Sequence, residues 1–178
     1  ELAELLGLMW PGLHLSKRAD LHCYFWPAAA WHLKEGGWFG FLVSSSWLDV
    51  EYGFALQGWV LRHFRLHAIL ESQAEPWFAD ARIKTCAVIL QRCAEAEPRR
   101  EQLVKFVRLD APLAELFGPR DSEGARQVAA DRLRDKILRC QRDTDQPGMR
   151  IIVKRQATLW DEGVRIGRLL AQRPAMES

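Results

Sequence analysis

Apolar and aromatic positions recur with helical spacing at Leu21, Tyr24, Phe25, Ala28, Trp31 and Leu33, run on without a break from Trp38 to Val43, and return to helical spacing from Phe54 to Phe64. The first pattern predicts a helix with Asp20 as its N-cap and with Gly36-Gly37 ending it after Lys34. Pro27 falls inside that helix and predicts a kink or a late start, since it removes one backbone donor. The unbroken run Trp38–Val43 suits a strand buried on both faces, as parallel strands between helices are. Leu66–Leu70 and Lys84–Gln91 read as two further strands, and with no helix between them they are expected to pair antiparallel. Helix, strand, helix, strand is the alternation of an α/β fold.

The flanks are more polar. Residues 1–19 allow a short helix and then a loop at Pro11-Gly12. After Arg92, a polar stretch with Pro98 reads as a connector, and Leu103–Leu109 as a strand. Asp121 or Ser122 would cap a long charged helix reaching about Cys140, with Ala125, Ala129, Leu133 and Ile137 on its inner face. A Gln-Pro-Gly break follows, then strand character from Arg150 to Lys154, and QATLW leads into a polar end. The chain divides into residues 1–19, residues 20–93 and an extension of residues 94–178.

Composition narrows the class. The chain has 178 residues, 48% hydrophobic and 27% charged, which is ordinary globular material. The longest apolar run is far short of the roughly 20 residues that span a bilayer, so no membrane segment is expected. The four cysteines, Cys23, Cys86, Cys93 and Cys140, make no close pair, so neither a zinc site nor a disulfide framework is indicated and a reduced, cytoplasmic protein fits. Net charge is +2, and basic residues gather late, in Arg99-Arg100, Arg132 to Arg142 and Lys154-Arg155. A solvated charged face is the plain reading of these, and an anionic partner the sharper one.

The candidate chemistry lies at strand ends. In an open α/β sheet, ligands bind in the crevice outside the carboxyl ends of the strands, which makes Ser44-Ser45-Ser46 a candidate site wall, although serines also serve simply to cap the next element. The linker from Glu71 to Ile83 carries Pro76-Trp77-Phe78 and then Asp80, Arg82 and Lys84. Aromatics in a loop are usually plugs into the core. Flanking cations turn them toward a nucleic-acid surface, where rings stack bases and cations hold phosphates. His63 and His67 straddle a helix-to-strand change, so they are not expected to share a metal. Glu71, Asp80 and Lys84 match no compact nuclease spacing, and no glycine-rich phosphate loop, Gly-x-Ser-x-Gly or kinase signature is present.

The stretch Asp20–Arg92 resembles the second half of the catalytic domain of adenine-specific DNA methyltransferases, above all the large restriction-modification methylases that carry a nuclease and a target-recognition domain on one chain. The likeness rests on Asp20, Leu21 and Phe25, on Leu33-Lys34 with Gly36-Gly37, on Ser46-Trp47-Leu48, on Tyr52-Gly53, and on Trp77-Phe78 before Thr85-Cys86. The later QATLWDEG, Gln156 to Gly163, resembles the segment leading to the recognition domain.

The resemblance implies a partial doubly wound, S-adenosylmethionine-dependent methyltransferase sheet that ends in an antiparallel hairpin, followed by a mainly helical extension. It implies methyl transfer to the N6 amine of adenine in double-stranded DNA, with Phe25 lining the cofactor pocket and Phe78 stacking on the flipped base; Trp77, Arg82 and Lys84 flank that contact. Extracting the base is what chemistry on its edge requires, and a stacking face offsets part of the lost stacking. The family's glycine-containing cofactor motif and its Asn/Asp-Pro-Pro-Tyr motif do not occur in the chain, so no catalytic residue is assigned and the isolated chain is expected to be inactive. A sheet without its upstream strand exposes an edge, which predicts self-association. The rival reading is a non-catalytic DNA-binding or scaffold subunit with half of the same fold.

Overall fold

The β-branched and aromatic runs of the sequence assemble into one six-stranded sheet in the computed structural model, which describes residues 2–78, 83–117 and 122–171. The elements in chain order are α1 (Leu2–Met9), α2 (His22–Ala30), β1 (Trp38–Ser44), α3 (Ser46–Asp49), α4 (Gly53–His63), β2 (Phe64–Ser72) and β3 (Thr85–Arg92). They continue with α5 (Ala96–Glu101), β4 (Leu103–Leu109), α6 (Leu113–Phe117), α7 (Glu123–Arg139), β5 (Thr144–Gln146), β6 (Met149–Arg155) and α8 (Gln156–Ala171). The fold is mixed α/β, and the sheet order is β1-β3-β2-β4-β6-β5.

β3 lies between β1 and β2 and is antiparallel to both, so β1 and β2 point the same way. The antiparallel pairing expected of the two strands around the Glu71–Ile83 linker is therefore present. β4 runs parallel to β2, which keeps the sheet continuous between residues 20–93 and the extension. Among the described residues the extension supplies the helices α5 to α8 and three strands, of which β4 and β6 lie where strands were expected and β5 is additional. Val104, Val107 and Leu109 of β4 are buried, and the Gln146–Met149 turn closes β5 on β6 with Gly148 at φ +80°, the left-handed position a type II turn gives to glycine.

Two buried clusters occupy opposite faces of the sheet. On one face Trp26 of α2, Trp47, and Leu56 and Trp59 of α4 pack on Phe64, Val88 and Leu90. Rings meet closely there, with Trp26 and Trp47 4.9 Å apart between centroids and Trp59 and Phe64 5.3 Å apart. Burying each such ring stabilises the fold by about 2–3 kcal/mol. On the other face Ala68, Val107, Leu109 and Ile151 pack under Ile137 of α7. Ser122 caps α7 as expected, accepting from the Ala125 backbone N–H at 3.3 Å. Only the second half of the predicted inner face is covered, since Ala125 is exposed while Ile137 is buried.

Three expectations give way. Asp20 does not cap α2; Leu21 occupies that position without a side-chain hydrogen bond, and Pro27 is accommodated inside the nine-residue helix. β1 is not buried on both faces: Trp38 is 53% and Leu42 45% exposed, because β1 is the edge strand and α7 stops short of covering its outer face. The polar end expected after Trp160 is a helix, α8, whose Gln156 is buried and holds the Leu66 N–H through Oε1 at 2.9 Å. No helix among the described residues is long and apolar enough to cross a membrane.

Candidate functional site

β1 and β2 both end where β3 begins, with Ser44 opposite Thr85 and Glu71 opposite Cys86. A polar groove of about 470 Å³ opens at that end of the sheet, lined among others by Ser45, Asp49, Glu71, Trp77, Lys84 and Thr85. Its floor is fixed by Ser45, which is buried and donates both its backbone N–H and its hydroxyl to the Lys84 carbonyl, at 2.9 and 3.4 Å. The turn after β1 and the end of the linker are thereby held together. This is the crevice at the carboxyl ends of the strands that the serine turn predicted.

The two aromatics of the linker part company. Trp77 is half-buried against the α7-side core, and its indole N–H is buried with no partner. Phe78, the next residue, is 48% exposed. Trp77 thus packs toward the core at the edge of the groove, and the Phe78 ring stands exposed. Lys84 lines the groove, whereas Arg82 lies outside the described residues.

Phe25 does not line the groove. It is 51% exposed on α2, while its neighbour Trp26 is fully buried, so that one turn of α2 turns an aromatic face to the core and another to solvent. The start of α2 is held by a hydrogen-bonded corner. Tyr52 donates its hydroxyl to Asp20 Oδ2 at 2.6 Å, Ser46 donates to the same oxygen at 3.2 Å, and Ser44 donates to Ser46 Oγ at 3.0 Å. The Tyr52 hydrogen bond holds the Asp20 carboxyl below the ordinary carboxylate range. Burial and the Asp20 carboxylate push the Tyr52 hydroxyl up, and burial above all pushes the Cys23 thiol up to about 11, so that thiol is no nucleophile near neutral pH.

Glycines fix the remaining geometry. At Gly53 a Cβ would stand 2.0 Å from the Trp47 carbonyl oxygen, so the turn from α3 into α4 closes only on glycine. Gln57 then holds the Trp47 carbonyl from Nε2 at 2.7 Å. Gly36 sits at φ +74° and donates to the Arg92 carbonyl at 3.0 Å, which joins the end of the α2 segment to the end of β3.

His63 and His67 sit on separate elements, as expected. Burial, reinforced by Arg92, Arg99 and Arg62 at His63 and by Arg65 and Lys105 at His67, pushes both imidazoles down to about 4. No group of three or more His, Cys, Asp or Glu residues among the described residues is arranged to hold a metal.

No protein-family model and no curated protein matches the chain. Among solved structures it is similar to the type IIG restriction endonuclease BpuSI. The two superpose with a TM-score of 0.58 at 13% identity, over 96% of this chain and 19% of that one. The chain thus spans about a fifth of its neighbour's length, and at this identity the likeness is one of fold.

Sequence reasoning missed the corner Asp20–Ser44–Ser46–Tyr52 as a unit. Its signal was present: Asp20, Ser46 and Tyr52 all belong to the short patterns that carry the methyltransferase resemblance. Spacings of 26 and 32 residues hid that they meet.

Proposed function

We propose that the chain is part of a site-specific DNA methyltransferase of the restriction-modification type, acting on the N6 amine of adenine. The observation that carries this reading is spatial. Asp20, Ser46 and Tyr52, far apart in sequence and drawn from three separate patterns of the resemblance, converge on one corner at the carboxyl end of β1. The antiparallel β2–β3 pair and the likeness in fold to a type IIG restriction endonuclease support the same reading.

In this reading Phe78 receives the flipped adenine on its free face, while Trp77 anchors the loop to the core and keeps that face in place. Lys84, at the groove, holds DNA phosphate. Phe25 is suited to the adenine of S-adenosylmethionine, because its ring stands half-exposed next to the fixed corner. The cofactor supplies the activated methyl group when bound. The residues described here bind and orient; none of them is assigned the polarisation of the target amine.

The test is methyl transfer. The chain, expressed with the coding sequence that precedes it, should move a labelled methyl group from S-adenosylmethionine to adenine N6 in duplex DNA. Transfer to a small molecule in place of DNA, or DNA binding with no transfer at all, would sink the reading. The latter result would favour a non-catalytic DNA-binding subunit.

A further inference from the structure

At the other end of the strands from Phe78, where β2 begins and β3 ends, arginines gather around a small pocket. The nine residues of β2 put roughly 30 Å between the two ends. The pocket holds about 160 Å³ and is lined by Arg62, Arg99, Arg100, Gln156, Ala157 and Trp160 among others, with no carboxylate in its wall. None of its three arginines is in an ion pair among the described residues. Two of them are held in place. Arg62 lies over the Trp160 ring, 5.4 Å from its centroid. Arg99 donates from Nη1 to the carbonyls of Cys93 and Ala94 at 2.6 and 2.5 Å, so its remaining donors are pre-aimed.

Unpaired guanidinia kept this close repel one another, and the arrangement gains when an oxyanion bridges them. The field is visible at His63, at the end of α4, whose imidazole is driven down by burial and then by Arg92, Arg99 and Arg62. Gln156 cannot fill the pocket with its own groups, because its side chain is already committed to the Leu66 N–H and the Leu61 and Phe64 carbonyls.

We propose that Arg62, Arg99 and Arg100 beside Trp160 form a pocket for a phosphate of a nucleic-acid backbone, a contact separate from the groove at the carboxyl ends of the strands. Taking nucleic acid as the source of the phosphate rests on the DNA reading above; the oxyanion chemistry of the pocket does not. The contact is independent of sequence and sets position and affinity.

The experiment is a salt titration of the intact chain binding a labelled DNA duplex, read by fluorescence anisotropy. Replacing Arg62 and Arg100 together with Gln should make the slope of log affinity against log salt shallower by about one, since the one lost phosphate contact removes about 0.9. The charge-preserving pair Arg62→Lys and Arg100→Lys should retain the slope. Should the Gln pair misfold by circular dichroism, Arg100→Gln alone, on an exposed side chain, should make the slope shallower in the same direction, by up to about one. An unchanged slope overturns the proposal, as does a wild-type chain that binds no duplex. Inorganic phosphate at fixed ionic strength separates the sources. If it raises the melting temperature of the wild type and not of the Gln pair, while both bind DNA with one slope, the pocket holds free phosphate and the nucleic-acid assignment is overturned. An unchanged slope in an enzyme that still methylates DNA strikes the pocket alone, whereas an altered slope without methyl transfer strikes only the reading of the other site.

Discussion

The Tyr52 hydroxyl donates to the Asp20 carboxylate at 2.6 Å, and this one hydrogen bond ties the start of α2 to the start of α4 across 32 residues. Removing it with Tyr52→Phe leaves Asp20 with Ser46 as its hydroxyl donor and should cost about 0.5–1 kcal/mol, at the low end because solvent screens the corner. The pH dependence gives a sharper check. Asp20 is held below its ordinary value, so its contribution is present above the unfolded carboxylate value and is lost as pH falls through the lower folded one. Urea midpoints compared at pH 7 and below pH 4 should differ less in Tyr52→Phe than in the wild type. An equal difference would mean that the corner does not hold the carboxylate.

Gly53 and Gly58 lie in the same helix and should respond in opposite directions to alanine. At Gly53 the added Cβ meets the Trp47 carbonyl at 2.0 Å, a clash with backbone that no rotamer relieves, and a loss of about 3 kcal/mol or more is expected. At Gly58 a Cβ meets nothing within 4 Å, and the better helix former should add about 0.5–1 kcal/mol. Thermal melts of the two variants, run side by side, check both signs.

Trp77 and Phe78 should separate stability from ligand capture. Trp77→Ala removes a ring packed against the α7-side core and should cost about 2 kcal/mol, the ring being only partly buried. Phe78→Ala removes an exposed ring and should leave the unfolding free energy within about 0.5 kcal/mol of the wild type. In the enzyme joined to its preceding coding sequence, the same Phe78→Ala change should lower methyl transfer and weaken fluorescence changes of a base analogue at the target position. A melting temperature that falls with Phe78→Ala, and activity that does not, would make Phe78 the plug.

Much of the central fold was legible because the signals were local. The Trp38–Val43 run, the helix into His63 and the Ser122 cap each depend on neighbours a few residues away, and each is present. What depended on distant partners was harder to read. The burial of β1 was overestimated because an unbroken apolar run looks the same at a sheet edge as at its centre, and only the strand order places it at the edge. Asp20 read as a cap because Asp before a helical pattern usually is one. Its true partners, Ser46 and Tyr52, become neighbours only when α2 packs beside β1. The exposed face of Phe78 could not be told from the buried one of Trp77 by type or spacing, since the two rings are adjacent.

His63 and His67 set a second pH window. Both are pushed down to about 4, chiefly by burial, from an ordinary value of about 6.5, so the unfolded chain takes up protons that the folded chain refuses. Their contribution is present above about pH 6.5 and is lost as pH falls toward 4. Urea unfolding at pH 7, 6 and 5 should show falling stability across that range. His67→Gln should flatten the fall; a curve with the wild-type slope would show that His67 is not buried beneath Trp38, on whose ring it stacks at 4.5 Å.

The edge at β1 carries the last prediction. Among the described residues β1 pairs only with β3, and its outward side chains Trp38 and Leu42 stand half-exposed. Beside them, Leu70, Ala87, Ile89 and Leu133 line an apolar groove between the sheet and α7. An unpaired strand edge next to an uncovered apolar face is a template for pairing with another chain. The 178-residue chain alone should therefore associate with itself, with a sedimentation coefficient that rises with concentration. Leu42→Lys places a charge on that face and should restore a monomer, at little cost to stability because the site is 45% exposed. Joining the chain to its preceding coding sequence should suppress association as well, since in the proposed methyltransferase that half of the sheet covers the β1 edge. Association that persists in the joined protein, or that ignores Leu42→Lys, would place the contact elsewhere.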